Sequence, residues 1–341
     1  MRTFLLPAPI VGTRMPNRRR LVIAIGASTI AGPFCAFAQG QTAKTPRVGI
    51  LTVPPIARAT EQIDALKKGL QALGYVEGKN ISFEIRSADG NYERLPDLAA
   101  NLVSLKPDVI VGGGTPGTKF AKAATATIPI VAIGVGDPIG SGLVASLARP
   151  GGNVTGTSNL SPPLMIKRLE TLKEINPATQ QYAVLLNSAN PAQKLSFDAM
   201  EPAAKALKVR IQKFEVRDLA ELQTAISEMA MQSIRAMVVG NDTSLIAHFR
   251  SAVELVMKQR ILVAGSSEIA EAGGLIGYGS NTDIWRYSAI YIDKILKGAK
   301  PGDLPIEQPT RLDTVVNLKT AKLLGIKIPQ AVLLRADKVV E

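Results

Sequence analysis

Short strand-like runs recur at nearly even steps in each half of this chain, and that rhythm limits the fold more than any other feature. In the first half Arg47–Val53 (RVGILTV), Ile81–Arg86 and Val109–Val111 are spaced by 33 and 28 residues, counted at Val48, Ile81 and Val109. In the second half Tyr182–Leu186, Val209–Val216 and Ala236–Val239 are spaced by 27 and 27, counted at Val184, Ile211 and Val238. Such steps leave room for one helix between strands, which forces parallel pairing through crossovers. Each third strand ends in a glycine followed by a threonine, Gly112 with Thr115 and Gly240 with Thr243. The halves therefore read as two copies of one βαβαβ lobe, a repeat of topology without a repeat of sequence. The fold class that follows is α/β, with two Rossmann-like lobes and parallel-rich central sheets.

The helices between these strands show one apolar face each. Thr60–Leu73 carries Ile63, Leu66, Leu70 and Leu73 at helical spacing, and Asn91–Leu105 carries Leu95, Leu98, Leu102 and Leu105. Pro116–Thr125 follows the third strand. Ile130–Ile133 then forms a strand with no polar alternation, the pattern of a parallel strand covered on both faces. Gly142–Leu147 reads as a short helix closed by Arg149-Pro150-Gly151-Gly152, and Asn153–Gly156 as the next strand. In the second half helices are predicted over Ala192–Leu207, Leu219–Met231 and Ser244–Lys258, with strands at Ile261–Ala264 and Leu275–Tyr278. Asp283–Lys297 is one helix bearing Trp285, Tyr287 and Tyr291. Pro301–Pro309 is extended, and Val315-Val316 and Lys319–Leu324 follow. These last pieces cannot bury a core alone, so they must pack back onto the two lobes. That requires three crossings, near residues 155–160, 279–283 and 306–313.

Charge and cysteine content narrow the function. The formal charge of +12 would suit a nucleic-acid partner, but five of the basic residues (Arg2, Arg14, Arg18, Arg19, Arg20) lie in the first 38 positions, which hold no Asp or Glu. Without them 35 basic residues face 28 acidic ones, a net of +7, and these are interspersed with no basic-aromatic stripe. No nucleic-acid partner is expected. Residues 1–38 read as a signal peptide, with Arg18-Arg19-Arg20 as its charged region, Leu21–Ile30 as its apolar core and Ala36-Phe37-Ala38 as the cleavage site before Gln39. The apolar run is too short to span a bilayer. Met15 is an alternative start, and the paired arginines leave both the general and the twin-arginine export routes open. Cys35, the only cysteine, falls inside the signal. Phe34 occupies the place where a lipid-attachment site needs a small residue, so no anchor is expected there. The mature chain then has no thiol, which excludes disulfides and thiolate chemistry.

Several segments carry a family resemblance. Asp137-Pro138, Gly142-Leu143-Val144 and the run Leu147–Gly156 (LARPGGNVTG) resemble the signature of ABC-transporter substrate-binding proteins of the tryptophan/tyrosine-uptake type. So do Ala272-Gly273-Gly274-Leu275 with Tyr278-Gly279, Gly298-Ala299-Lys300-Pro301, Leu304–Thr310 and Val316-Asn317-Leu318-Lys319. The resemblance covers nearly everything after residue 45. It implies a type I periplasmic-binding fold whose three connecting segments act as a hinge, and an exported receptor handing an amphipathic solute, such as an aromatic amino acid, to an inner-membrane ABC permease. A periplasmic monomer follows from it. The lobes expected are 45–156 with 283–308 and 157–282 with 309–341. A ligand-sensing subunit of a membrane signalling protein shares these features, and an enzyme on the same scaffold is the third reading.

In such a fold ligands meet the carboxyl ends of the strands, and the candidate residues lie there. Thr52 and Pro54 end the first strand. Gly112-Gly113-Gly114-Thr115-Pro116 follows the third, either as a plain tight turn or as an anion site, with Thr115 as the helix N-cap and Pro116 at the first helical position. Asp137, after the fourth strand, is a ligand-binding candidate and in principle a general base, or simply the cap of the turn into the helix at Gly140–Leu147. On the opposite lobe Asn187, Asn190, Asn241 and Asp242 occupy matching strand ends, where Asn and Asp also serve simply as turn formers. Ser266, Glu268 and Tyr278 complete the set. For an amino-acid ligand the carboxylate is expected at the Thr115 hydroxyl and the N–H groups of Gly114–Gly117, and the ammonium at Asp242. No catalytic constellation is present: the single histidine, His248, lies mid-helix between Ala247 and Phe249, and no GxSxG, HExxH or metal-ligand spacing occurs. No cofactor or metal is expected.

Overall fold

The computed structural model describes residues 45–280 and 283–341. The signal peptide, its cleavage site and Cys35 lie outside the described residues, as do positions 281 and 282 of the second expected crossing. In the first lobe β1 (Arg47–Thr52), α1 (Ile56–Ala72), β2 (Ser82–Ser87), α2 (Leu95–Ser104), β3 (Val109–Gly113), α3 (Gly114–Ala124), β4 (Ile130–Val135) and β5 (Val154–Ser158) build a parallel five-stranded sheet of order β2-β1-β3-β4-β5. Its strands are apolar on both faces because both are covered. Val48, Ile50, Val109, Val111, Val131 and Ile133 pack beneath α1, while Leu51, Ile110, Ile130 and Ala132 meet α2 and α3.

The second lobe opens with α4 (Ser161–Ile175) and β6 (Gln181–Asn187). It continues through α5 (Pro191–Ala206), β7 (Arg210–Val216), α6 (Leu219–Met231), β8 (Ala236–Val239), α7 (Thr243–Lys258), β9 (Leu262–Gly265), α8 (Ser267–Glu271) and β10 (Ile276–Gly279). The chain then returns to the first lobe as α9 (Ile284–Leu296), which lies along α1 with Trp285, Ala289 and Ile292 in the same apolar cluster. A last passage supplies β11 (Asp313–Asn317), α10 (Leu318–Leu324), α11 (Gln330–Leu334) and β12 (Lys338–Val340). The seven strands are ordered β12-β11-β10-β9-β8-β6-β7, all neighbours being parallel except β10 and β11. At the first passage Leu160 takes a left-handed backbone conformation (φ 57°), where a branched side chain is strained. Between α9 and β11 the chain runs along the β5 edge, with Ser158 N–H donating to the Glu307 carbonyl and Glu307 N–H to that of Gly156.

Three expectations are corrected. The helix expected at Gly142–Leu147 is absent, and β4 joins β5 through turns. Lys122 Nζ binds the carbonyls of Gly142 and Leu143, and Gly142 is left-handed (φ 69°). Those carbonyls are not available for a six-residue helix that could barely nucleate alone. The helix expected from Asn91 begins as a 3-10 turn, Tyr92–Arg94, capped by Asn91, with α2 following it. Finally α4 is a full helix that periodicity did not reveal. It buries Leu164, Met165, Leu169 and Leu172, but Arg168 interrupts that inward stripe.

Candidate functional site

The carboxyl ends of both sheets face one another across a cavity of 990 Å³. The first lobe contributes Thr52 and Pro54 after β1, Gly114–Pro116 at the start of α3, and Trp285 from α9. The second contributes Arg168 of α4, Asn190 before α5, Asn241 and Asp242 before α7, and Ser266 and Glu268 around α8. Apolar surface comes from both sides, with Ile133, Ile284 and Trp285 facing Leu164 and Ile246. Trp285, the single tryptophan, sits with its ring edge beside Gly113. The result is a cavity lined by apolar and aromatic surface with polar groups from both lobes, the usual composition of a small-molecule site.

Ten of the thirteen residues singled out from sequence line this cavity, and the structure revises the roles of several. Thr115 is not a cap, nor does Pro116 hold the first helical position. α3 starts two residues earlier, at Gly114, with Gly113 in the capping position and no side-chain cap. The Thr115 side chain is 2% exposed, and its hydroxyl accepts the Gly136 N–H at 3.1 Å, tying the β3–α3 turn to the end of β4. Ser266 has its hydroxyl oxygen buried without a hydrogen-bond partner among the described residues.

The other three do not line the cavity. Asp137 Oδ1 accepts the Gly140 N–H at 2.8 Å, so it holds the turn after β4. Asn187 is fully buried behind Asp242, donating to its Oδ1 at 3.1 Å. Tyr278 contributes its backbone carbonyl, which receives Arg168, and not its ring.

Asp242 is the most committed of the candidates. As N-cap of α7 its Oδ1 accepts from Ser244 N–H (3.0 Å) and Leu245 N–H (3.2 Å) as well as from Asn187 Nδ2. Its Oδ2 accepts from Asn190 Nδ2 and from the Tyr92 hydroxyl, each at 2.9 Å. Five donors fill a carboxylate that offers about four lone-pair positions. Asp242 thus has no capacity left for a ligand ammonium.

Trp285 was read only as a helix residue, and two polar residues were missed altogether. Tyr92 follows Asn91 inside the expected helix, so nothing local marks it; only the 3-10 turn aims its ring at the second lobe. Burial and the adjacent Asp242 carboxylate raise its pKa far above 10, keeping the phenol a donor. Arg168 did leave a signal. It stands four residues after Leu164 and four before Leu172, on the buried face of an apolar stripe. Its guanidinium donates to the Tyr278 carbonyl from Nε (3.0 Å) and Nη2 (2.7 Å), to the Val239 carbonyl (3.2 Å), and to Asn241 Oδ1 (2.7 Å). Burial lowers its pKa, and Glu268 opposes that shift.

Among the described residues no group of three or more His, Cys, Asp or Glu could hold a metal ion, and no helix is long and apolar enough to cross a membrane.

The family pattern described as ABC transporter substrate binding protein matches residues 56–340. A tyrosine-binding protein of Clostridioides difficile (strain R20291) is 28% identical over 271 residues, 78% of each chain. Among solved structures, an ABC domain from Streptococcus pneumonia in complex with L-Trp superposes with a TM-score of 0.80 at 26% identity, covering 87% of this chain and 100% of that one. The ligand-free, open structure of a substrate binding protein with adhesive properties from Clostridium difficile reaches 0.61, also at 26% identity, covering 86% and 99%. With a matching segment that spans both lobes and the cavity between them, the chain belongs to the ABC transporter substrate binding protein family.

Proposed function

We propose that this protein captures an aromatic amino acid in the cavity between its lobes and presents it to an ABC permease. The observation that carries the reading is the cavity itself, which Trp285 and aliphatic side chains line together with polar groups from both lobes. The named relatives bind tyrosine or hold L-Trp, which fits that shape and polarity. The lobes are 45–156 with 283–308 and 157–282 with 309–341, closing about three connecting segments. Thr52, Pro54, Gly114, Thr115, Pro116, Asn190, Asn241, Asp242, Ser266 and Glu268 belong to the ligand wall, Asp242 with its carboxylate already filled by donors of the protein. The chain is exported to the periplasm as a monomer after cleavage following Ala38.

Trp285 is a built-in reporter. Titrating the mature protein with L-tyrosine should change its fluorescence saturably at micromolar ligand, while L-alanine should not. No saturable change with L-tyrosine, and no calorimetric heat with L-tryptophan, would reject the aromatic ligand. Intact-mass measurement of periplasmic material should give a chain beginning at Gln39, and a product retaining residues before it would reject the export route.

A further inference from the structure

Arg168 carries a charge that the protein itself does not balance. Its side chain is 0% exposed, yet all four of its hydrogen bonds go to neutral oxygens: two to the Tyr278 carbonyl, one to Val239 and one to Asn241. Among the described residues the one carboxylate that acts on it electrostatically is Glu268, on the exposed first turn of α8, and the two form no ion pair. A buried guanidinium without a counter-ion is strongly disfavoured unless something else supplies the negative charge. Neutral carbonyls alone could be held by a neutral amide.

The donors point the same way. A guanidinium has five N–H groups. Nε spends one on Tyr278, Nη1 spends two on Val239 and Asn241, and Nη2 spends one on Tyr278, which among the described residues leaves one Nη2 hydrogen uncommitted on a side chain that lines the cavity. The same lobe presents a second unmatched group, the partnerless Ser266 hydroxyl, at the cavity wall. On the first lobe, by contrast, the Thr115 hydroxyl accepts the Gly136 N–H and keeps its own hydrogen, but it carries no charge to match an anion.

We infer that Arg168 is the anion anchor of the site, and that the ligand class is a carboxylate whose acid group docks against the second lobe. The carboxylate completes the fifth donor and neutralises the buried charge, and the three carbonyl and amide contacts keep the guanidinium aimed at it. This places the acid group on the lobe opposite to Thr115. The assignment rests on the interlobe cavity being the ligand site, but not on the ligand being aromatic.

Calorimetry on the mature protein compares L-tryptophan, indole-3-propionate (no ammonium) and tryptamine (no carboxylate). A charge-assisted hydrogen bond predicts tryptamine tenfold to a hundredfold weaker than L-tryptophan, with indole-3-propionate retaining the larger share of the affinity. Arg168→Met should weaken L-tryptophan by a similar factor and leave tryptamine unchanged, and Arg168→Lys should recover part of the loss. Equal weakening of both ligands by Arg168→Met would show that Arg168 is only a strut. If Arg168→Met does not fold, the wild-type comparison decides: tryptamine binding as tightly as L-tryptophan overturns the assignment. Should none of the indoles bind, the aromatic reading fails by itself. Thermal-shift comparison of the other L-amino acids with their amides then tests the anchor, and absence of preference for the acids overturns it.

Discussion

The Tyr92 hydroxyl donates to Asp242 Oδ2 at 2.9 Å, across the boundary between the lobes. Tyr92 belongs to the turn before α2, Asp242 caps α7, and Asn187 Nδ2 donates to the same phenol oxygen at 3.0 Å. The ring is 9% exposed, so this contact is made out of water. It ties the two lobes to each other.

Removing the phenol oxygen should shift the balance toward opening. Ligand affinity falls by whatever the closed state loses, because only that state encloses the ligand. Tyr92→Phe removes one hydrogen bond to a charged acceptor, ~1.5 kcal/mol, so L-tryptophan should bind roughly tenfold more weakly. Calorimetry reads this directly, and an unchanged dissociation constant would show that the contact does not contribute to closure.

Asp242→Asn separates the capping role from a ligand role. From sequence alone Asp242 is the ammonium partner, and the substitution should weaken binding tenfold to a hundredfold. The hydrogen bonds seen here predict a different signature. Asn caps helices well, but its amide cannot accept from Tyr92, Asn187 and Asn190 together, so stability should drop by about 1–2 kcal/mol. The affinity ratio between L-tryptophan and indole-3-propionate should stay as in the wild type. A changed ratio with an unchanged melting temperature would restore the ammonium role.

Gly156→Ala should be severe. Gly156 lies in β5 opposite Ala132 with φ 129°, and a Cβ there would stand 2.7 Å from Ala132 N and overlap the Ala132 carbonyl. Both the backbone angle and the strand pairing resist the methyl group, and a loss of roughly 3 kcal/mol or more is expected. Chemical denaturation measures it. A loss below ~1 kcal/mol would mean that β4 and β5 can separate locally without consequence.

Alkaline pH should expose the buried phenols. Burial pushes the Tyr182 pKa up to about 12, against a smaller lowering from Thr179. Tyr287 is pushed up to about 12 by its hydrogen bond to Glu307 and then by burial. Tyr75 is also raised, by burial and then Asp293, and Tyr291 by burial and then Glu307. A pKa raised in the folded state means stability that is whole below pH 10 and lost as pH climbs toward 12. Ultraviolet titration of the native protein should therefore show most tyrosinate forming above the range seen after denaturation. Coincident native and denatured curves would contradict the burial of these rings.

Most of the architecture was legible in the chain, and for definite reasons. Leu219–Met231 and Ala236–Val239 match their helix and strand residue for residue, and β1, β6 and α5 differ by a residue or so at their ends. α4 was not legible as a helix, because Arg168 breaks the apolar run of its inward face, and the acceptors that let it be buried come from β8 and β10. Nor was the turn at Gly142–Leu147, where Lys122 reaches from α3 to take carbonyls that a helix would have used.

What the sequence by itself determined is the two-lobed α/β plan and the strand ends at which a ligand would be met. A strand covered on both faces must be apolar throughout, and parallel strands need a helix between them, so both facts leave local marks. What only the tertiary structure decided is how those strand ends divide their labour. Asp242 is consumed by Tyr92, Asn187 and Asn190, which arrive from 150, 55 and 52 residues away, while Arg168 is buried by carbonyls 71 and 110 residues distant. A polar group's remaining capacity depends on partners brought by closure of the chain in space, and no local pattern records them.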